Sequence, residues 1–420
     1  MDNAPDRRIL RGMEDVRDVL IVGGGLNGSA LALALAQAGL SVTIVDKLAV
    51  ETRADPGFDG RGYALAHASK RLLDAIGIWP GIADHGQPIL QIKVTDGRAG
   101  EGASPFVLEF DHAEIEEGPM GFMIEDRYLR RALLSAMDAD DRIEQITGPE
   151  VVDHDVAPGF ATVTLGDGTT RRARVVVGAD GQHSPTARRA GIGRMGWSYG
   201  QTALVCAIGH AKPHQGCAHQ FFMPPGPLAI LPLPGDRSSI VWTETDAAAA
   251  RIQALDDDGY LDALRPRVGD FLGPISLAGQ RFTYPLTLSI AHRFAAPRVA
   301  LLGDAAHRVH PIAGQGLNAG LKDVGALAEV LALAHRRGED IGRLDVLERY
   351  QRWRRFDTAT LALTTDGFNR LFSNDNGLLR LGRDIGMGVV NALPSLRRGL
   401  IREAAGRTGG PPRPVPAQPV

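Results

Sequence analysis

Three short stretches of the sequence combine glycines with one carboxylate, which is a chemistry typical of nucleotide-binding sites. The first is Gly23-Gly-Gly-Leu-Asn-Gly28 followed by Asp46, the second is Gly178-Ala-Asp-Gly181, and the third is Gly303-Asp304. Glycine lets the backbone approach a ligand closely, and a carboxylate accepts hydrogen bonds from sugar hydroxyls. We therefore expect a nucleotide cofactor, whereas the sequence assigns no residue as a catalytic acid, base or nucleophile.

The first stretch lies in a strand, loop, helix and strand in the order that a dinucleotide site requires. An apolar strand at 18–22 leads into G-x-G-x-x-G, formed by Gly23, Gly25 and Gly28, and an Ala/Leu-rich helix is predicted over 29–39. A second strand, 41–45, ends in Asp46, at the spacing where an acidic residue accepts the hydroxyls of an adenine ribose. Its carboxylate would repel a 2′-phosphate, so this bound nucleotide is not NADP.

The sequence of residues 298–318 predicts a loop that binds the ribityl chain and isoalloxazine ring of FAD. A strand at 299–302 delivers Gly303 and Asp304, and a tight turn precedes a helix beginning near Leu317. Unpaired backbone N–H groups and the positive end of the helix dipole then converge on one place, which suits a flavin that becomes anionic on reduction. The predicted cofactor-binding residues of this stretch are Gly303, Asp304, Pro311, Gly314, Gly316, Leu317 and Asn318.

The stretch between these two sites is ambiguous by itself. The strand at 174–178 ends near Asp180 and Gly181, which could be an ordinary transition from strand to turn. At this point the chain resembles the single-component, FAD-dependent aromatic hydroxylases that are similar to p-hydroxybenzoate hydroxylase. In that family the glycine fingerprint, the Asp-Gly motif and the Gly-Asp motif occur in this order. The resemblance implies that Asp180 and Gly181 contact both FAD and a transient nicotinamide donor.

Longer stretches are similar to one branch of that family, the hydroxylases of ubiquinone biosynthesis. They are residues 59–73 (DGRGYALAHASKRLL), 124–133 (IEDRYLRRAL), 197–201 (WSYGQ), 226–233 (GPLAILPL) and 310–318 (HPIAGQGLN). The similarity runs from about residue 18 to about residue 405. Asp126 stands where the branch usually has Asn, and Asp46 where it usually has Glu. The resemblance implies that Arg61 and Arg127 neutralise the cofactor or steady its pyrophosphate; the alternative for each is an exposed arginine on a helix.

The resemblance implies an FAD-dependent monooxygenase that hydroxylates the aromatic ring of a polyprenylated phenol in ubiquinone biosynthesis. NADH, NADPH or a reductase would supply electrons, and O₂ would react through a C4a-hydroperoxyflavin. Two alternatives remain open: a hydroxylase of a soluble aromatic compound, and a flavin-bearing assembly subunit of a biosynthetic complex. The sequence leaves open the hydroxylated ring carbon, the electron donor, the pocket residues and the oligomeric state.

The motifs predict an α/β fold whose FAD-binding domain is Rossmann-like and discontinuous. Its segments are 18–80, 120–185 and 290–335, and a β-sheet substrate domain takes 81–119 and 186–289. Residues 336–405 are predicted to form a C-terminal helical segment, and residues 406–420 a disordered tail.

Composition agrees with a large enzyme rather than a nucleic-acid-binding protein. The chain has 420 residues, 44% of them hydrophobic, and its formal net charge is −3. Such a chain can bury a sizeable core, and its charge offers no general attraction to nucleic acid. The polar first 17 residues, the lack of a run long enough to span a bilayer, and only two cysteines predict a cytoplasmic protein.

Two further groups of residues have alternative interpretations. Residues 378–405 alternate Leu, Ile and Val with arginines, which predicts either peripheral contact with the inner face of the cell membrane or helices packed on the FAD-binding domain. His210, His214, Cys217 and His219 lie close in sequence, but their spacing matches no usual zinc pattern, so we expect no metal. His307 and His310 are expected to be structural hydrogen-bonding residues.

Overall fold

The computed structural model describes residues 16–98, 100, 102–114, 118–309 and 315–372, which form two large sheets and one small sheet. The first sheet has eight strands: β1 (Val16–Val22), β2 (Val42–Asp46), β8 (Ile143–Thr147), β9 (Val151–Val156), β10 (Ala161–Leu165), β11 (Thr170–Gly178), β18 (Ala295–Ala296) and β19 (Val299–Leu301). Its centre runs in the order β19-β11-β1-β2-β8, and all of these neighbours are parallel.

Because these strands are parallel, their carboxyl ends meet at one edge of the first sheet. We call this the carboxyl edge; there β1, β2, β11 and β19 end at Val22, Asp46, Gly178 and Leu301. The opposite edge is the amino edge. It contains Asp18 of β1, Arg174 of β11, and Ser41 and Arg298, which immediately precede β2 and β19.

Helices bury one face of the first sheet. They are α1 (Leu26–Gln37), α2 (Val50–Arg53), α3 (His67–Ala75), α4 (Asp126–Asp138), α5 (Pro185–Arg189), α8 (Gln315–Arg336) and α9 (Leu344–Phe372), of which α1, α4, α8 and α9 contribute most of the core. Successive side chains of β1 alternate between the faces, so Val19 and Ile21 pack on the helices while Leu20 and Val22 pack against β10.

The second sheet has nine strands: β5 (Gln91–Arg98), β6 (Gly102–Asp111), β12 (Arg194–His210), β13 (Cys217–Met223), β14 (Gly226–Leu233), β15 (Arg237–Thr245), β16 (Ile275–Leu277), β17 (Phe282–Ala291) and β20 (His307–Arg308). Helices α6 (Asp246–Gln253) and α7 (Asp257–Val268) pack on one face around Trp242 and Tyr260. The other face packs against the small sheet of β3 (Gly62–Leu65), β4 (Gln87–Ile89) and β7 (Gly121–Glu125).

The structure confirms the predicted fold class, a Rossmann-like α/β unit beside a β-sheet unit with a helix towards the C-terminus. Two predicted helix starts differ by a few residues. The helix predicted from residue 29 begins at Leu26, because the last turn of the glycine motif is already helical, and the helix predicted near Leu317 begins at Gln315.

The predicted domain boundaries stay a prediction. The segment 81–119 divides between sheets, because β4 pairs with β7 of the small sheet while β5 and β6 extend the second sheet. Residues 373–405 of the predicted helical segment and the tail at 406–420 lie outside the described residues. Within the described part of the chain, no helix combines the length and apolar character needed to cross a membrane.

Candidate cofactor site

The glycine motif connects β1 to α1 at the carboxyl edge, and its glycines have different tasks. Gly23 has φ +106°, and a Cβ there would lie 2.4 Å from the carbonyl oxygen of Ala179. A Cβ at Gly28 would lie 2.0 Å from the carbonyl oxygen of Gly23. Gly25 is different, because an added Cβ would meet nothing within 4 Å. Packing therefore requires the first and third glycines, while the second leaves open space at the N-terminus of α1, where backbone N–H groups favour an anion.

Asp46 ends β2 beside this loop. One of its carboxylate oxygens accepts the N–H of Gly24 at 2.6 Å, and the other accepts the N–H of Leu48 at 2.8 Å. A carboxylate has about four acceptor positions, so these two bonds leave capacity for sugar hydroxyls. The predicted ribose-binding role of Asp46 is compatible with this arrangement and stays a prediction.

Sequence reasoning missed Arg53, which covers the glycine loop. Its guanidinium is buried, donates from Nη1 to the carbonyl oxygen of Gly24 at 3.0 Å, and has no partner for Nε among the described residues. Burial lowers the pKa of Arg53, and the nearby Asp46 carboxylate opposes that shift. No motif marks Arg53 in the sequence, because its place depends on the fold of the loop after β2.

The loop after β19 meets the glycine motif through Asn27. Gly303 has φ +57°, and a Cβ there would lie 2.6 Å from Nδ2 of Asn27; at Gly320 of α8 the corresponding distance is 2.2 Å. Both glycines leave room for the Asn27 side chain, whose Oδ1 is buried and has no hydrogen-bond partner among the described residues. Two stretches that lie far apart in sequence therefore form one site.

Asp304 is exposed at this site, and Arg194 of the second sheet holds the backbone around it. The Arg194 guanidinium donates to the carbonyl oxygen of Asp304 at 3.0 Å and to the carbonyl oxygen of Ala305. Burial lowers the pKa of Arg194, and the carboxylates of Asp304 and Asp180 oppose that shift. The Gly-Asp loop is thus attached to the second sheet as well as to the first.

Asp180 and Gly181 follow β11 at the same edge. The Asp180 carboxylate accepts the hydroxyl of Ser184, which is the N-cap of α5, and the N–H of Thr186 at 2.9 Å, so it holds the first turn of α5. Gly181 has φ +81° and open space around an added Cβ. The Asp180 side chain thus has a structural task, and its predicted cofactor contact stays a prediction.

The residues predicted at the start of α8 separate into two kinds. Gly316 is exposed with open space around it, whereas Leu317 packs partly into the core. Asn318 is buried and bonds to the segment that runs from β3 into α3. Its Oδ1 accepts the Ala66 N–H at 2.9 Å and the Ser69 hydroxyl at 2.7 Å, and its Nδ2 donates to the Ala64 carbonyl at 2.7 Å. The Asn318 side chain therefore holds the start of α8 against β3 and α3. Pro311 and Gly314 lie outside the described residues.

Arg61 and Arg127 lie near the small sheet, and each pairs with a carboxylate. Arg61 approaches Asp59 at 2.6 Å and Asp126 at 3.5 Å. Arg127 Nε donates at 2.7 Å to Glu125, a fully buried side chain that also accepts from Arg237 at 2.7 Å. Burial lowers the pKa of the Arg61 guanidinium, but its carboxylate neighbours outweigh burial and raise it.

Two histidines in or beside the second sheet that lie close in sequence, His210 and His214, use their ring nitrogens in hydrogen bonds within the protein. His210 bonds to the Lys212 carbonyl at 2.8 Å and to the Ser238 hydroxyl at 3.0 Å, and His214 bonds to the Leu233 carbonyl at 2.8 Å. Among the described residues, no three His, Cys, Asp or Glu side chains are grouped to hold a metal. Of the other pair, His307 is buried against Asp323, as a structural residue would be, and His310 lies outside the described residues.

The arrangement at the carboxyl edge fits a dinucleotide. It brings together open space beside Gly25, the carboxylates of Asp46 and Asp304, and two buried polar atoms that have no partner among the described residues, Asn27 Oδ1 and Arg53 Nε. Buried polar atoms in folded proteins nearly always have partners, and a ligand bound beside Gly25 would complete the bonds of these two.

The chain belongs to the family described as FAD binding domain, whose sequence profile matches residues 17–361. It is an FAD-dependent aromatic hydroxylase, which confirms the enzyme class and the FAD cofactor predicted from the sequence. The branch follows from two relatives. The chain is 44% identical to ubiquinone hydroxylase UbiL of Rhodospirillum rubrum, covering 96% of this chain and 92% of that protein. It is 33% identical to 3-demethoxyubiquinol 3-hydroxylase of Escherichia coli, covering 93% and 98%. The predicted resemblance to the ubiquinone-biosynthesis branch is confirmed.

Solved structures agree on the fold. The p-nitrophenol 4-monooxygenase PnpA of Pseudomonas putida superposes with a TM-score of 0.77 at 18% identity, covering 94% of this chain and 99% of that one. PqsL of Pseudomonas aeruginosa, solved in complex with 2-aminobenzoylacetate, gives a TM-score of 0.74 at 25% identity, covering 89% and 99%.

Proposed function

We propose that this enzyme hydroxylates the aromatic ring of a polyprenylated phenol on the route to ubiquinone. The substrate class is supported by the names of the relatives, a ubiquinone hydroxylase and a 3-demethoxyubiquinol 3-hydroxylase, which match nearly the whole chain. The observation that carries the placement of the reaction is the contact of Asn27 with Gly303 and Gly320, because it joins the two halves of the proposed FAD site.

The proposed FAD site assigns a part of the cofactor to each group of residues. The N-terminus of α1 around Gly23, Gly25 and Gly28 receives the pyrophosphate, with Arg61 and Arg127 neutralising charge nearby, and Asp46 accepts the adenine ribose hydroxyls. Gly303 and Asp304 receive the ribityl chain. Gly314, Gly316, Leu317 and Asn318 offer backbone N–H groups to the flavin ring, and Pro311, which has no backbone N–H, shapes the turn before them. Asp180 and Gly181 contribute contacts after β11.

FAD, when bound, supplies the redox chemistry that activates O₂ for insertion into the ring. The protein orients the cofactor and the phenol and excludes water between the carboxyl edge and the second sheet. Backbone N–H groups at the start of α8 would stabilise negative charge on the flavin, as an oxyanion hole does for a carbonyl oxygen. We propose NADH or NADPH as a transient reductant. A second G-x-G-x-x-G match, residues 191–196, leads into β12 rather than opening a helix, so it does not form a second dinucleotide-binding unit that would retain the nicotinamide.

We also propose a cytoplasmic location with peripheral contact at the inner face of the membrane, where a polyprenylated substrate resides. Support comes from the sequence of residues 378–405, in which arginines interleave with Leu, Ile and Val. Flotation of the full-length protein with anionic liposomes would show this contact, and a protein that stays at the bottom of the gradient would contradict it. Membership of a ubiquinone-biosynthesis complex is a further proposal, tested by co-purification from cells.

The test of the reaction is mass spectrometry of prenylated phenols and quinones from cells that lack this gene and any other ring hydroxylase of the pathway. Returning the wild-type gene should consume a prenylphenol that is one ring oxygen short, and under ¹⁸O₂ the product should gain one labelled oxygen. The Gly28→Ala gene should fail to do so, while the Gly39→Ala gene should succeed. An unchanged quinone profile would contradict the proposal. NAD(P)H oxidation stimulated by a simple soluble phenol would then favour the soluble-substrate alternative, and turnover by other subunits alone would favour an assembly role.

A further inference from the structure

Asp323 of α8 is completely buried and binds three parts of the chain at once. Its Oδ2 accepts the backbone N–H of Gly303 at 2.9 Å and the Nε2 N–H of His307 at 2.7 Å. Its Oδ1 accepts Nε of Arg354, from α9, at 2.7 Å. Arg354 is 3% exposed and Asp323 0% exposed, so these bonds are shielded from bulk solvent.

A buried carboxylate is costly unless its charge and its acceptors are satisfied. Burial alone would raise the pKa of Asp323, but His307 and Arg354 outweigh burial and lower it, so the carboxylate stays ionised. The same pairing outweighs burial at Arg354 and raises the pKa of its guanidinium. Both carboxylate oxygens of Asp323 therefore hold neighbouring parts of the chain.

The neighbours that it fixes are the two ends of the Gly-Asp loop. A single oxygen atom binds Gly303 at the beginning of the loop and His307 at its end, and Asp304 lies between them. Tyr350 of α9 adds a third restraint, because its hydroxyl donates to the Leu301 carbonyl at 2.8 Å at the end of β19. Three anchors thus set the direction in which Asp304 leaves the sheet.

We propose that Asp323 is a positioning residue for FAD, acting through the Gly303–His307 loop without touching the cofactor. The inference rests on the proposed placement of the ribityl chain at Gly303 and Asp304. The inference predicts that the Asp323 charge affects the dissociation constant of FAD and the spectrum and reduction potential of the bound flavin, in addition to its effect on folding.

The other end of the same strand offers a matched control. Arg298 precedes β19 and is 7% exposed, and it pairs with Asp340 through two bonds of 3.1 Å and 2.5 Å. Asp340→Asn therefore removes one carboxylate charge from an arginine pair beside the amino-edge end of β19, whereas Asp323→Asn removes one beside the carboxyl-edge end. The Asp340 side chain is 34% exposed, so its loss should cost less stability than the loss of the Asp323 charge.

The experiment compares Asp323→Asn with Asp340→Asn in the full-length protein. It measures the dissociation constant of FAD by flavin fluorescence, the visible absorption spectrum and reduction potential of bound flavin, and thermal unfolding of the apoprotein. We expect Asp323→Asn to weaken FAD binding by at least about tenfold, the lower range for a charged hydrogen bond, and to shift the flavin band and potential. Asp340→Asn should lower the unfolding temperature and leave the dissociation constant within about twofold.

Equal losses of stability with unchanged flavin affinity, spectrum and potential would overturn the inference and leave Asp323 a structural residue. If Asp323→Asn does not fold, His307→Gln and His307→Leu replace it. Gln keeps an N–H donor and should retain FAD affinity within about threefold, whereas Leu releases the end of the loop and should weaken it about tenfold. Equal affinities for these two variants would overturn the inference.

The variant Asp304→Ala distinguishes this inference from the proposed site. If Asp304→Ala leaves FAD binding unchanged, the placement of the flavin itself is wrong. If Asp304→Ala weakens binding and Asp323→Asn does not, only the positioning role fails.

Discussion

The two edges of the first sheet are built from the same strands but differ in how their polar groups are paired. At the amino edge, Asp18 accepts the N–H and hydroxyl of Ser41, both at 2.9 Å, and an N–H of Arg174 at 3.1 Å, and Arg298 pairs with Asp340. At the carboxyl edge, glycines replace side chains, and buried atoms of Asn27 and Arg53 have no partner among the described residues.

This difference suggests a different role for each edge, stability of the sheet at one and ligand binding at the other. An unpaired buried polar atom costs about 1–3 kcal/mol, so a fold keeps one only where another molecule completes the bond or another gain offsets the cost. The amino edge has its charges paired within the chain and stabilises the sheet. The carboxyl edge has buried atoms without a partner among the described residues, and it is the edge beyond which parallel sheets bind ligands.

The largest effect is expected from Gly28→Ala at the carboxyl edge. Its Cβ would lie 2.0 Å from the Gly23 carbonyl oxygen, so the loop must shift. Such overpacking costs about 1–3 kcal/mol, and we expect FAD binding to weaken by up to about a hundredfold. Flavin content of the purified protein and a fluorescence titration measure this.

Gly39→Ala is the matched control, because Gly39 has φ +91° at the other end of α1 but open space around it. It should lower the free energy of unfolding by about 1 kcal/mol and retain FAD. Similar flavin loss in both variants would show that Gly28 matters only for folding.

The second prediction compares one aspartate from each edge. Asp304→Ala should weaken FAD binding about tenfold to a hundredfold, since a hydrogen bond to a charged group contributes about 1.5–3 kcal/mol, and should change stability little because Asp304 is exposed. Asp18→Ala should do the reverse, because it breaks three bonds that hold β1 to its neighbours. Urea unfolding of the apoproteins and FAD titrations separate the effects, and wild-type FAD affinity in Asp304→Ala contradicts the assignment.

The third prediction compares two asparagines that contact the site. Asn318 makes three hydrogen bonds within the chain, so Asn318→Ala should lower the free energy of unfolding by roughly 2 kcal/mol. Asn27 Oδ1 has none among the described residues, so Asn27→Ala should change stability by less than about 1 kcal/mol and weaken FAD binding about fivefold. Urea unfolding and FAD titration measure both variants. If Asn27→Ala loses more stability than Asn318→Ala, or Asn318→Ala loses more FAD affinity than Asn27→Ala, unpaired buried atoms do not mark the site.

The smallest effect is the pH dependence at the amino edge. Burial would raise the pKa of Asp18, but the bonds from Ser41 and Arg174 outweigh burial and lower it. A lowered pKa in the folded state means that the carboxylate contributes stability above the unfolded-state pKa, and that this contribution is lost as pH falls through the folded-state pKa. The difference in unfolding free energy between wild type and Asp18→Asn should therefore be largest above pH about 4 and shrink below it. A difference that stays constant from pH 3 to pH 7 would contradict the assignment.

The sequence predicted the parts of the site that depend on local backbone geometry. Gly23 and Gly28 are required by close contacts within one loop and its neighbouring strands, and such requirements appear as a motif. The ends of β2 and β19 could be predicted because apolar runs stop at Asp46 and just before Gly303.

The parts that the sequence did not reveal depend on tertiary contacts. Arg53 reaches the glycine loop only after the chain has turned back, and Asp323 meets Gly303 through packing of α8 on the end of β19. The side chain of Asn318 forms hydrogen bonds with residues 64–69, and the sequence pattern around Leu317 could not indicate these bonds. A single sequence contains no signal for these tertiary contacts, because the residues that form them have no fixed spacing along the chain.

The central claim, that the carboxyl edge binds FAD while the amino edge only stabilises the sheet, is tested most directly by amide hydrogen exchange of the apoprotein with and without FAD. At labelling times of a few seconds, which report local opening, FAD should slow exchange at residues 23–29, 178–186 and 303–309. Exchange at residues 16–18, 172–174 and 340–343 should be unchanged. Protection at the amino edge equal to that at the carboxyl edge, or none at the glycine motif, would contradict the account.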